Sequence, residues 1–216
     1  MFCGVLFAGA IGLNDASSDV IVVPLLATQI LWINLITDST PALALGVDPE
    51  IDDVMARNPR KLTDRAIDAG MWGGIVSVGL VMALVTLFTI DVFLPGGLIE
   101  GDDTLAVART AGFTTLVLAQ LFNALNARSE VTSAFHGLFS NKWLWGALTL
   151  GLVLQVTVVE IPFLQVAFST ASMDLTHWAV CLGLSSVVFW YDEMRKVFLR
   201  SRQPAATHIA QALRPG

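Results

Sequence analysis

The chain has 216 residues, 55% hydrophobic and only 14% charged, and its mean hydropathy of +0.69 is too apolar for a soluble domain, whose surface has to be wetted. The net charge of −6 comes with no basic face for nucleic acid, and in so apolar a chain the position of each charge says more than the sum. The two cysteines, Cys3 and Cys181, stand alone in apolar runs. Their isolation excludes a zinc motif or a disulfide framework and leaves them as small packing residues.

The first apolar stretch, residues 2–13, has no basic n-region and no small-residue cleavage site, so it does not read as a signal peptide. A dozen residues make about 18 Å of helix, short of the roughly 30 Å of hydrocarbon. The stretch reads as the outer end of a helix whose beginning lies elsewhere, or as a short interfacial or re-entrant segment. Five further stretches are long enough to cross as helices, at residues 21–45, 71–94, 106–126, 143–161 and 178–199. The expected fold is therefore all-α: a polytopic membrane bundle of five full transmembrane helices plus one truncated N-terminal helix.

The connections alternate in character. The loop at 47–70 holds Arg57, Arg60, Lys61 and Arg65, the loop at 127–142 holds Arg128 and Lys142, and the end of the chain holds Arg195, Lys196, Arg200, Arg202 and Arg214. Of the 12 basic residues only Arg109 falls on the opposite side, so the positive-inside rule makes these two loops and the C-terminus cytoplasmic. The other connections, GLNDASSD, LPGGLIEGDD and FSTASMD, are short clusters that end and cap helices. Trp143, Trp145, Trp178, Trp190 and Tyr191 sit where interfacial aromatic anchors are expected.

Polar residues inside the spans are the candidates for function. In WINLITDSTPALALGVDP, Asn34 and Asp38 are four apart and share one helical face, with Thr37 beside them. Pro41 removes an amide and weakens the preceding turn, freeing carbonyl oxygens near Thr37 and Asp38. Such an oxygen-rich spot suits a hard cation such as calcium, although one helix cannot supply the six to eight oxygens that calcium takes. An intramembrane carboxylate implies an ion site by default, and the alternative is that Asp38 only caps or hydrogen-bonds a neighbouring helix at the kink. Gln120, the deepest of the polar edge Gln120, Asn123 and Asn126, serves either as an ion ligand or as interhelical glue. Gln155 and Glu160 read as structural.

WINLITDSTPALALGVDP followed by DDVMARNPR resembles the sixth membrane helix and following loop of type II P-type cation-transporting ATPases of the calcium-pump branch. NALNARSE resembles the end of that family's eighth helix, and VVEIPFLQVAFSTASMDLTHWAV its ninth-to-tenth helix connection. The resemblance implies that residues 1–13 end the fifth helix, that residues 14–200 are the C-terminal transmembrane domain with helices six to ten, and that 201–216 is a cytoplasmic tail. It carries the family's ion-binding roles onto Asn34, Thr37 and Asp38. Gln120 stands where two-site calcium pumps have a glutamate, which implies one ion per cycle. The loop at 47–70, with Asp48, Asp52, Asp53, Arg57 and Arg60, would couple the ion site to a phosphorylation domain; without the resemblance its charges are ordinary solvated surface.

No DKTGT or TGE motif occurs in these residues, so no ATP hydrolysis is expected from this chain alone. It reads as a fragment or one half of a P-type calcium-transporting ATPase, binding no cofactor itself and meeting ATP and magnesium only through other domains. The expected partners are the lipid bilayer and an N-terminal half carrying phosphorylation, nucleotide and actuator domains with helices one to five, and no nucleic acid. The cation is expected to be calcium, with manganese and sodium as alternatives, in a multi-pass protein of a prokaryotic plasma membrane. Two other readings compete: a stand-alone non-catalytic partner of a pump, and a small ion channel or carrier.

Overall fold

A computed structural model describes residues 24–47, 69–94, 99, 101–128, 134 and 141–202. The N-terminal apolar stretch, the charged loop residues Asp48, Asp52, Asp53, Arg57 and Arg60, and the tail from 203 lie outside the described residues, as do the side chains of Thr37 and Asp38. Among the described residues every regular element is helical: α1 (Ala27–Trp32), a π-helical turn (Ile33–Asp38), α2 (Ser39–Gly46), α3 (Ala69–Phe93), α4 (Leu105–Asn126), α5 (Lys142–Glu160), α6 (Pro162–Phe168) and α7 (Leu175–Arg202).

Three of these, α3, α4 and α5, are long and apolar enough to cross a membrane. At 1.5 Å per residue they measure about 37, 33 and 28 Å, which matches the hydrocarbon thickness. Helix α7 has 28 residues but gathers Asp192, Glu193, Arg195 and Lys196 in its second half. The first expected span is not one rod but α1, the π turn and α2 in series. The connection expected after residue 161 includes a further short helix, α6, which begins at Pro162 where a missing amide costs nothing and ends at Ser169 in the left-handed region.

Helix α4 is the central element, packed against both α3 and α7 and also touching α5 and the π turn. Beside buried Phe113, Leu118 and Leu121, it buries a run of small or β-branched positions: Ala108, Ala111, Gly112, Thr115 and Ala119. In lipid, helix association relies on such close approach, because apolar tails give no hydrophobic drive. Gly112 illustrates the fit, since a Cβ there would lie 2.5 Å from Ile90 Cγ1 of α3. Cys181 of α7 is buried with Sγ 3.5 Å from the Ala111 carbonyl, the packing role expected of an isolated cysteine.

Three hydroxyls in the apolar helices are satisfied locally: Thr86 donates to the Met82 carbonyl at 2.8 Å, Thr89 to Val85 at 2.9 Å and Thr110 to Ala106 at 2.7 Å. This back-bonding is how Thr tolerates the middle of a helix. Outward faces are apolar, with Ile75, Val76, Leu80 and Leu84 of α3 and Leu150, Leu152 and Val153 of α5 exposed. Exposed apolar surface on this scale needs lipid or another polypeptide over it.

One end of the bundle is closed by polar contacts. The α3–α4 connection turns back so that the Asp103 amide donates to the Phe93 carbonyl at 3.1 Å. His177 at the start of α7 packs on Phe93, with ring centroids 4.8 Å apart, and its Nδ1 accepts from the Asp174 amide at 3.1 Å. That bond leaves the proton on Nε2, which donates to Asp103 Oδ2 at 3.1 Å. Trp178 of α7 donates through Nε1 to Glu160 Oε1 of α5 at 3.2 Å.

Candidate functional site

The site begins with a single proline. Pro41 cannot donate to the Thr37 carbonyl, and its ring crowds that oxygen, so a regular helix cannot run through residues 37–41 unchanged. The structure meets this with a π-helical turn over Ile33–Asp38 directly before the α2 segment that contains buried Pro41. A π turn widens the helix by one residue and leaves backbone carbonyls in unusual positions, a geometry that is concentrated at functional sites. One of these carbonyls, that of Asn34, is met by Ser39 Oγ at 3.5 Å.

Asn34, Thr37 and Asp38 therefore all lie on the π turn, not on a regular helical face. Asn34 is exposed, beside the exposed Leu31 and Leu35. The broken element thus has one face buried in this bundle, through Gln29, Ile33, Pro41 and Ala44, and one face, bearing Asn34, that the described helices do not cover. Gln120 is half-buried on α4, the helix that packs against the π turn. Among the described residues no three His, Cys, Asp or Glu side chains come together.

Both ends of the break are held. Before it, Gln29, fully buried, accepts from the Leu26 amide at 3.1 Å and donates to the Phe168 carbonyl of α6 at 3.3 Å. Trp32 stacks edge-on against Phe168, centroids 5.0 Å apart, and donates through Nε1 to Gln155 Oε1 at 3.3 Å. Gln155, fully buried on α5, passes the link on by donating to Thr114 Oγ1 of α4 at 3.1 Å. After the break, Asn141 donates to the Ala44 carbonyl at 2.9 Å while its Oδ1 caps α5 by accepting from the Leu144 amide at 3.0 Å.

The chain's ends of the broken helix are thus fastened to α4, α5 and α6, and the π turn lies between the fastenings. Sequence reasoning gave Gln155 a structural role but could not find its partners, and Gln29 and Asn141 carried no signal beyond being polar residues near apolar runs. Their function is to position the turn.

These features define a class: a helical membrane-protein bundle with a polar, broken helix packed against its apolar spans. Residues 22–198 match the family described as "Cation transporting ATPase, C-terminus", and the chain belongs to that family, in the calcium-pump branch of P-type ATPases that its motifs resemble. It is 35% identical over 180 residues to the calcium-transporting ATPase 1 of Yarrowia lipolytica, covering 83% of this chain and 19% of that protein. It is 34% identical to a calcium-transporting ATPase of Bacillus subtilis, covering 76% and 18%, and 35% identical to the human calcium-transporting ATPase type 2C member 1, covering 87% and 20%. The chain spans about a fifth of the length of these relatives.

Proposed function

We propose that this chain supplies part of the intramembrane cation site of an ATP-driven cation pump, and that the cation is calcium, as the names of its relatives suggest. The observation that supports this reading is the π turn: its backbone contains Asn34, Thr37 and Asp38, it runs directly into the α2 segment that bears Pro41, and the element is fastened at both ends. Broken helices whose freed carbonyls line a polar cavity are how membrane transporters ligate cations. The oxygens of Asn34, Thr37 and Asp38, with carbonyls of the widened turn, are the contribution of this chain.

That contribution is incomplete for a hard cation taking six to eight oxygens, and the uncovered face bearing Asn34 is where helices of an N-terminal half would close the site. Gln120 lies on the helix packed against the π turn; being neutral, it ligates more weakly than a carboxylate, which favours one ion per cycle. The segment between Gly46 and Ala69, with Asp48, Asp52, Asp53, Arg57 and Arg60, couples the site to the phosphorylation domain. ATP and magnesium act there, outside this chain. The basic residues at 57–65, at 128 and 142, and from 195 onward place these ends of the helices in the cytoplasm, in a five-crossing arrangement made of the broken helix, α3, α4, α5 and α7.

The test is transport. Co-expressed with a complementary N-terminal half bearing the phosphorylation domain, the chain should restore ATP-dependent calcium uptake into membrane vesicles, and Asp38→Asn should abolish it. Either half alone should give no uptake. Calcium flux from this chain alone in liposomes would instead favour an autonomous channel, and full uptake by the Asp38 variant would overturn the site assignment.

A further inference from the structure

Among the described residues, the large apolar side chains most open to the surroundings are Val166, Leu175 and Phe163, at 83, 81 and 80% exposure. Leu175 begins α7, and the other two belong to the short helix α6. Pro162 and Ala167 are exposed as well, and at about 100° per residue these four α6 positions form one continuous arc. The opposite arc carries Leu164 and Phe168, packed on the core, and Gln165, which donates through Nε2 to the Val159 carbonyl at 2.6 Å. Gln165 is the one polar side chain of α6. The helix thus turns its polar residue inward and an unbroken apolar arc outward, the reverse of a helix that faces water.

This exposure is not that of a loose turn. Thr170, directly after α6, donates through Oγ1 to the Val158 carbonyl of α5 at 2.8 Å and through its amide to the Gln165 carbonyl at 3.1 Å. The next amide, of Ala171, donates to Thr110 Oγ1 of α4 at 3.0 Å.

The last bond sets the depth of the corner. Thr110 lies about 8 Å along α4 from its first residue, Leu105. Because α4 is long and apolar enough to cross a membrane, a group bonded there lies inside the boundary of the span, where headgroups give way to acyl chains. Trp178, bonded to Glu160 at the end of α5, marks the same level as an interfacial aromatic. Exposed apolar positions on α5, Leu150, Val153 and Val156, also lead through exposed Ile161 to Phe163. The broken helix meets α6 through Phe168, on the inner arc, so the outward arc is turned away from the Asn34 face that calls for further helices. An arc with no polar side chain, at this depth, fits lipid.

We propose that α6 is an interfacial helix, with Phe163 and Val166 set into the acyl boundary of the bilayer, and that this hold on lipid steadies the broken helix. The link is Phe168, whose carbonyl accepts from Gln29 at 3.3 Å and whose ring packs on Trp32. The partner is the lipid surface itself, and the inference does not depend on which cation, if any, the broken helix binds.

Depth-dependent quenching tests the placement. Bimane is attached at Phe163→Cys or Val166→Cys in the full chain, with Cys3→Ala and Cys181→Ala, in phosphatidylcholine liposomes. Leu150→Cys, exposed near the middle of α5, calibrates the bilayer centre. At 163 and 166, quenching by lipid brominated near the headgroup end of its chains should exceed quenching by lipid brominated near the chain ends, and by aqueous iodide, at least about twofold. Hydrogen exchange tests the link: Phe163→Ser/Val166→Ser, changing only exposed side chains, should speed exchange across residues 27–38 at least about threefold with helicity kept by circular dichroism. Dominant quenching by iodide or by chain-end bromines would overturn the placement, as would quenching by none of the three, which would mean that protein covers the arc. Unchanged exchange in the double variant would overturn the link to the broken helix.

Discussion

Two side chains show how single residues hold the site in place. Gln155 spends both ends of its amide on neighbours, accepting from Trp32 and donating to Thr114, and is fully buried. Interhelical hydrogen bonds in membranes average about 0.6 kcal/mol, and the half-buried Trp32 indole N–H left behind adds a desolvation cost. Gln155→Leu should therefore lower stability by about 1–2 kcal/mol, seen as a lower melting temperature in detergent by tryptophan fluorescence. Lys196 is 1% exposed; it donates to the Asn126 carbonyl at 2.8 Å and pairs with Asp192 and Glu193 at 3.4 and 3.7 Å. A cation at the C-terminal carbonyls of α4 also suits that helix's dipole. Glu193 in turn accepts from the Ala134 amide at 2.7 Å. Removing one member of a buried ionic group costs about 3–5 kcal/mol, so Lys196→Met should be strongly destabilising. The double variant Lys196→Met/Asp192→Asn should lose less than the sum of the singles in the same melting assay.

At the scale of elements, the long apolar helices were legible in the sequence because length and hydropathy suffice: α3, α4 and α5 start and stop within two residues of the expected spans. The first span was legible in composition but not in form. Pro41 announced a weakened turn, yet whether the helix bends, unwinds or widens depends on what fastens its ends, and the fastenings are Gln155, Asn141 and Phe168, more than ninety residues away in sequence. Helix α6 was missed because seven residues between a proline and a serine-rich turn carry too little periodicity to distinguish from a loop. Asn34, Thr37, Asp38 and Gln120 could be picked out because a polar residue in an apolar run is conspicuous; the uncovered face on which Asn34 lies depends on tertiary packing and could not. Two outcomes follow. Pro41→Ala restores an amide donor to the Thr37 carbonyl, so the region should gain hydrogen-exchange protection across 37–41 while transport by the assembled pump falls. Gly112→Val forces a side chain into Ile90, and overpacking of that kind costs about 1–3 kcal/mol, checked by melting temperature in detergent.

At the scale of the whole molecule, the described helices pack around α4 and leave uncovered the face of the broken helix that bears Asn34. Helices α3, α4 and α7 pack as a unit, with α4 at the centre, and α5 and α6 hold the broken helix against them. The exposed face of that broken helix, with Leu31, Asn34, Leu35 and Leu43, mixes a polar amide with large apolar side chains. Lipid would leave the Asn34 amide unsatisfied at bilayer depth, whereas further helices would both cover the apolar residues and add oxygens. In the function proposed above, Asp38 and its neighbours form one wall of a cation site completed by those helices. Equilibrium binding of radiolabelled calcium to the purified assembly of this chain with its complementary N-terminal half tests this. Saturable binding that neither half shows alone, weakened at least about tenfold by Asp38→Asn through loss of a charged ligand, is the predicted result; equal affinity in the Asp38 variant would contradict it.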